Sequence, residues 1–260
     1  MEETEMAGIT NSGLPTCIPQ HYPPEVVSDS MVTISFFTFS GFSDIRWALA
    51  QMRRAHEGFN KAGGPSFYKL MGTGGGDGLS IWPDWSTFCL LGVWKDESEW
   101  RNALSEIPYL TQATQRSQYS HVQLAPLGGH GTWGGVDPFK GMEAGIDPHS
   151  PIAVLTRASI RRSKWWSFWK EVPTVAGIMK HQKGNLFFKG IGELPLVEQA
   201  TFSVWKDIES IRSFAYEGTE HKEVIRKTRI KEWYSEELFY RFKVLSVEGN
   251  SPRGSSWFSY

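Results

Sequence analysis

The sequence predicts an α+β protein built from two fused ferredoxin-like βαββαβ repeats that close a pseudo-dimeric α+β barrel. Three observations predict it. VWKD occurs at 93–96 and again at 204–207. FYK at 67–69 is answered, in the same chain order, by FFK at 187–189. Each half also reads strand, helix, strand, strand, helix, strand when its apolar periodicity is followed. A βαββαβ sheet has one face covered by helices and one face bare. Two such units can bury their bare faces against each other, which leaves no apolar sheet face in water.

Residues 1–30 are rich in Pro, Ser, Thr and Glu and show no period, so they read as an extension. The first repeat is expected over 31–127. It opens with the strand MVTISFFTF (31–39). A helix through DIRWALAQMRRAHEG follows, capped by Ser43, with Ile45, Ala48, Leu49 and Met52 on one face. FYKLMGTG (67–74) is a strand entering a Gly-rich turn. STFCLLGVW (86–94) is a strand, DESEWRNALSEI (96–107) a helix stopped by Pro108, and YSHVQLAPL (119–127) the closing strand. Residues 128–150 are crowded with Gly and Pro and read as a linker or a pocket loop. The second repeat is expected over 151–249. PIAVLTRASI (151–160) is a strand, and SKWWSFWKEV (163–172) a helix ended by Pro173. NLFFKGIGEL (185–194) and VEQATFSVW (197–205) are strands. Residues 207–229 are helical in one or two pieces, and SEELFYRFKVLSVEG (235–249) holds the last strand. Residues 250–260 are a tail.

Composition narrows the function. With 27 basic against 28 acidic residues, the chain has no basic excess for a nucleic-acid surface. The two cysteines, Cys17 and Cys89, form no C-x-x-C, which argues against a disulfide framework and suits a reducing, cytoplasmic setting. No apolar run nears the roughly 20 residues of a membrane span, and no strong amphipathic anchor stands out. Twelve Trp and 16 Phe exceed ordinary need, so some could line a cavity for a flat or long apolar ligand.

The chemistry-bearing motifs are few. GTGGGDG (72–78) lacks the spacing of a dinucleotide loop and any following Lys-Ser or Lys-Thr, so it reads as a hairpin turn. No nucleophile elbow or zinc-protease helix is present. The seven histidines remain. His221 follows Thr219, a plausible N-cap, and shares a helix face with Val224 and Ile225. A helix N-terminus disfavours imidazolium, and the neutral ring is the form a metal needs. The alternative is a hydrogen-bonded core histidine. Counting from the paired VWKD, the first half carries Leu110 where the second carries His221, so any metal centre would be single. One histidine beside an aromatic barrel interior suits haem iron better than zinc, which wants three or four protein ligands. His130 and Trp133, in GGHGTWGG, could close over a pocket as reacting groups, or merely decorate a linker. Arg161 and Arg162 follow a strand end. They could hold propionates or another carboxylate, with Arg161 counted among the reacting groups and Arg162 with the cofactor.

Several longer strings resemble the spheroidene monooxygenase family of carotenoid biosynthesis. They are RWALAQM, FYKLMGTGGGDG and VQLAPLGGHGTW in the first half, and FWKEVPTV, FFKGIGELPLVEQATFSVW and WYSEELFYRF in the second. The likeness spans about residues 32–249. It implies a haem b (iron) monooxygenase of the dimeric α+β barrel type. Such an enzyme would use O2 and an external electron donor such as a ferredoxin to oxidise a hydrophobic substrate. In related haem barrels the proximal histidine sits on a helix of the C-terminal half, a location His221 matches. A polyene substrate dissolves in membranes, so peripheral membrane contact is expected; further homo-oligomerisation is left open. Two other readings of the same fold are a redox-neutral haem enzyme resembling aldoxime dehydratase, and a haem- or small-molecule-binding module without catalysis. A cofactor-free barrel oxygenase is a further variant.

Overall fold

A computed structural model describes residues 30–250 and 252, apart from 62–63, 77–79, 143, 146–148, 181, 195 and 218–231. The extension 1–29, nearly all of the tail, and the segment holding Thr219, His221, Val224 and Ile225 lie outside the described residues.

The first half runs β1 (Met31–Thr38), α1 (Phe42–Lys61), β2 (Phe67–Gly74), β3 (Pro83–Trp94), α2 (Glu97–Glu106), α3 (Pro108–Arg116) and β4 (Gln118–Gly131). The second runs β5 (Ile152–Ile160), α4 (Trp165–Trp169), α5 (Val172–Lys180), β6 (Asn185–Leu194), β7 (Glu198–Trp205), α6 (Ile208–Glu217) and β8 (Tyr234–Glu248). The strands close a barrel in the order β1-β3-β2-β6-β7-β5-β8-β4, all neighbours antiparallel. Each half therefore contributes the 4-1-3-2 sheet of a βαββαβ unit, and the two sheets join edge to edge along β2–β6 and β4–β8. The expected fused repeat is observed.

The register shows how closely the halves correspond. Trp94 faces Met31 across β3–β1, and Trp205 faces Ile152 across β7–β5. The two VWKD strings thus occupy equivalent places. At the β2–β6 seam the equivalent residues Gly72 and Gly192 face each other, and at the β4–β8 seam so do Ala125 and Lys243. A pseudo-twofold axis passes through both seams.

VWKD recurs because three of its four residues have a structural task in both halves. Val93 and Val204 point into the barrel core. Trp94 and Trp205 point outward under the helices, their indole N–H groups bonded to Thr33 Oγ1 at 2.8 Å and Ser203 Oγ at 2.9 Å. Lys95 and Lys206 are exposed. Asp96 and Asp207 accept from the backbone N–H groups of Glu99 and Ser210, the N-cap bond of the following helix.

Three expectations need correction. Ser43 is not the cap of α1, because the helix already begins at Phe42, with the Ile45 N–H bonded to the Gly41 carbonyl. The expected stop at Pro108 is observed, α2 ending at Glu106; Ile107 then turns extended and Pro108 opens α3. Pro173 likewise falls in the first turn of α5. A proline at a helix start gives up an N–H that has no intrahelical partner there, so it begins a helix as readily as it ends one. Finally, residues 128–131 are not linker but the end of β4, paired with β8. Gly129 and Gly131 are there for contact rather than looseness. A Cβ on either would sit 2.1 Å from the carbonyl oxygen of Phe239 or Glu237.

The barrel interior is filled by side chains. Phe36, Phe187 and Phe202 pack together in it, and the segment after β4 inserts Trp133, Phe139 and Met142. Eight strands leave an interior just wide enough for side chains. With the described interior residues packed together, space for a flat ligand is sought outside the wall.

Candidate active site

The outer faces of the two sheets differ. In the first half, Leu70, Leu90, Ser35 and His121 form one row across β2, β3, β1 and β4. All four are buried beneath α1, α2 and α3, within or beside a cluster that includes Phe37, Phe59, Phe88, Trp100, Tyr109 and Leu110. The equivalent row of the second half is Gly190, Thr201, Thr156 and Phe239, across β6, β7, β5 and β8. One step further along the strands, Phe37 and Phe88 are answered by Ala158 and Gln199. Leu has become Gly and Thr, and Phe has become Ala and Gln. Side-chain volume has been removed where the first half packs its helices.

The consequence shows in exposure. Ser35 is wholly buried, whereas Thr156, in the middle of a central strand, is exposed, and Thr201 and Phe239 are only half-buried; Gly190 and Ala158 remain buried. This trough lies on the face carrying the smaller cluster of Ile152, Val154, Met179, Phe188, Trp205, Ile208 and Ile211. Its row extends one strand further, because Phe239 pairs with His130 of β4. The His130 ring is exposed and stacks on Phe239 with centroids 5.9 Å apart. A hydroxyl pair, an aromatic face and an imidazole are thus in register on four adjacent strands.

The residues expected at a site are distributed unevenly. His130 stands at the rim of the trough. Trp133 does not close over a pocket with it, since the two lie on opposite sides of the barrel wall. Trp133 is buried inside, edge-on to Phe67, with its indole N–H 2.5 Å from Glu193 Oε2. Strand alternation from His130 through the β4 end, and the turn that follows, separate them. Arg161 and Arg162 lie in the exposed turn beyond β5, and the Arg161 Nε–H donates to the Tyr234 carbonyl at 3.0 Å. They are five and six residues past Thr156, about 16–20 Å of extended chain. Thr156 and Thr201 were not singled out from the sequence. The signal was the exchange of large for small residues between the halves, readable only once the register was known.

Two other groups of polar residues have structural partners. Inside the barrel, Arg157 bridges Glu198 and Glu236 and lies over Trp133, 5.6 Å from the ring. Lys69 pairs with Glu193 at 2.8 Å, and Lys189 with Asp84 at 3.2 Å. Partial burial opposes charge on Glu236. The Gly135 N–H, the Thr132 hydroxyl, the Gly134 N–H and Arg157 outweigh it and hold the carboxyl at about 2. These groups fasten the inserted segment 132–142 to the wall. Under the first-half helices, His121 is bonded through Nδ1 to Ser35 Oγ at 2.9 Å and stacked on Trp100. Burial, and then the Arg101 charge, push its pKa down to about 4, so the ring is neutral. Among the described residues, no group of three His, Cys, Asp or Glu could hold a metal ion, and no helix is long and apolar enough to cross a membrane.

No protein-family model matches the chain. Individual proteins do. A spheroidene monooxygenase of Rhodobacter capsulatus is 34% identical over 222 residues, covering 85% of this chain and 92% of that protein. That of Cereibacter sphaeroides is 35% identical over 231 residues, 86% and 71% of the two chains. That of Rubrivivax gelatinosus is 31% identical over 188 residues. Among solved structures, an aldoxime dehydratase superposes with a TM-score of 0.57 at 12% identity, over 92% of this chain and 93% of that one. A second, in complex with butyraldoxime, gives 0.59 at 13%, over 88% and 84%. At such identities the superpositions speak for the fold alone.

Proposed function

The chain belongs to the spheroidene monooxygenase family and is an oxidoreductase of the monooxygenase class; from that premise we propose that it uses haem b, O2 and an external reductant to oxidise a hydrophobic chain of the carotenoid type. One observation carries the reading. On its outer face the second sheet carries Gly190, Thr201 and Ala158 where the first carries Leu70, Leu90 and Phe37, and it leaves Thr156 exposed. The row from Gly190 to Phe239 spans three strand spacings, about 14 Å. It is floored by small residues and bordered by aromatic and aliphatic ones, which fits a flat apolar group. On this reading Gly190, Thr201, Thr156 and Phe239 would hold one side of the haem. His221 would hold the iron, and Val224 and Ile225 are assigned to the cofactor with it. When bound, the haem supplies an iron centre that activates dioxygen.

The remaining work falls to the chain. The exposed Thr156 hydroxyl can donate a hydrogen bond into the trough, and Thr201 beside it can keep that hydroxyl oriented. The His130 imidazole, at the rim and open to water, can deliver protons. Monooxygenation consumes two of them, with two electrons from the reductant, as one oxygen atom enters the substrate and the other leaves as water. Phe239 would hold the His130 ring in place and exclude water from the centre of the trough.

An absorption spectrum of the purified protein, with and without added haem and beside His221→Ala, tests this. A Soret band that the substitution removes or shifts is expected, with turnover of an acyclic carotenoid dependent on both O2 and reductant. A folded protein that takes up no haem would overturn the cofactor assignment. Turnover without reductant would instead favour redox-neutral chemistry on the same scaffold.

A further inference from the structure

We propose that the turn and helix at 161–170 form a docking surface for an anionic membrane. The segment reads RRSKWWSFWK, with four cations and no acidic residue in a chain whose net charge is −1. All four cations are exposed. The indoles of Trp166 and Trp165 are 61% and 37% exposed, far above what a soluble surface requires of tryptophan. The two rings meet edge to face at 5.8 Å, and Lys170 Nζ lies 5.6 Å from the Trp166 ring. Beside them, the Trp169 indole N–H bonds to the Leu196 carbonyl, which ties α4 to the β6–β7 turn. That turn presents Leu194 at 58% exposure. Apolar tips ringed by Arg and Lys are the composition of an interfacial anchor. Indoles settle at the headgroup level, and each cation gains from the negative surface potential.

The opposite end of the barrel makes the comparison. β6 runs antiparallel to β2, so the β2–β3 hairpin points away from the β6–β7 turn. That hairpin exposes Trp82 and Trp85 at 77% and 61%. Its sequence SIWPDWS (80–86), however, carries an aspartate and no cation. Aromatic exposure occurs at both ends, and a run of four cations at one, beside the exposed Glu232 and Glu237 around the start of β8. That end is also where β5, the strand carrying Thr156, terminates. Docking there would bring the trough to the lipid surface, so an apolar substrate could reach it without crossing water. This last point rests on the proposed function, whereas the docking itself does not.

Vesicle co-sedimentation of the full-length protein tests the proposal. The probes are phosphatidylcholine vesicles, alone and with about one third phosphatidylserine, at about 0.1 M salt. Binding is expected to the mixed vesicles, to weaken as salt is raised, and to be slight on neutral ones. Arg162→Gln/Lys164→Gln/Lys170→Gln should lower partitioning on the order of 100-fold, each cation being worth roughly fivefold. Trp165→Ser/Trp166→Ser should also lose binding, whereas Trp82→Ser/Trp85→Ser should retain it. Circular dichroism and the thermal midpoint confirm that each variant is folded. Equal binding to neutral vesicles, loss on changing Trp82 and Trp85 instead, or a dimer that Trp165→Ser/Trp166→Ser dissociates would each overturn the proposal. So would binding of a nucleic-acid duplex in place of vesicles. The assay needs neither haem nor turnover. Failure here would leave the oxygenase reading standing, and failure of the spectral test would leave the docking result standing.

Discussion

His121 and Phe239 occupy equivalent positions in the two halves, and the contrast shows what one residue contributes. His121 is sealed beneath α2 against Trp100, Tyr119 and Ser35, with Arg101 and Glu248 as the nearest charges. Its pKa falls from 6.5 to about 4 on folding. Between those values the unfolded chain binds a proton that the folded chain does not. Stability is therefore complete above about pH 6.5 and is lost as pH falls toward 4, by about 3 kcal/mol in all. Glu236, held at about 2, adds a second loss at lower pH, since its stabilisation is present above its ordinary value of 4.5 and fades as pH drops through 2. His121→Phe repeats the residue of the other half. It is expected to flatten the dependence between pH 6.5 and 4 while leaving the steeper loss below pH 4, as read by urea unfolding across that range. An unchanged slope would show that other groups carry the acid sensitivity.

At the scale of elements, the two outer sheet faces are the same construction with different filling. Leu70 and Leu90 make the first a helix-packing surface, whereas Gly190 and Thr201 make the second a trough. Restoring bulk should undo the difference. Thr156→Leu/Thr201→Leu is expected to abolish haem uptake, seen as a missing Soret band on titration. The thermal midpoint should stay within a few degrees, since Thr156 is exposed and Thr201 only half-buried. Normal uptake by this variant would place the haem elsewhere. The conservative Thr156→Ser should bind haem normally while changing the position of its Soret band. The VWKD strings belong to this scale as well. They record the strand-to-helix junction of the fold and carry no chemistry, which is why both halves keep them while only one half has the trough.

In the whole molecule, the halves are joined by two hydrogen-bonded seams, and neither sheet is complete without the other. A separated half would expose the edges of β2 and β4, or of β6 and β8, together with the apolar face that fills the barrel. Residues 31–142 and 150–249 expressed separately are expected to aggregate or self-associate. Coexpressed, they should co-purify as one species on size exclusion. Two stable monomeric halves would show that the barrel is an association of independent domains.

The sequence by itself determined the number and order of the strands, the duplication and the family. These rest on local periodicity and on strings preserved in order along the chain, which need no knowledge of what packs on what. It also named His130, whose ring the structure places against Phe239. It misread the glycines at 128–131 as linker, because glycine marks a turn and a close strand approach alike, and only the neighbour β8 distinguishes them. It paired His130 with Trp133 through nearness along the chain, although the barrel wall runs between them. The trough was decided by tertiary structure alone. Gly190, Thr201, Thr156 and Phe239 come from four separate strands, and they form one row only because the register sets them side by side.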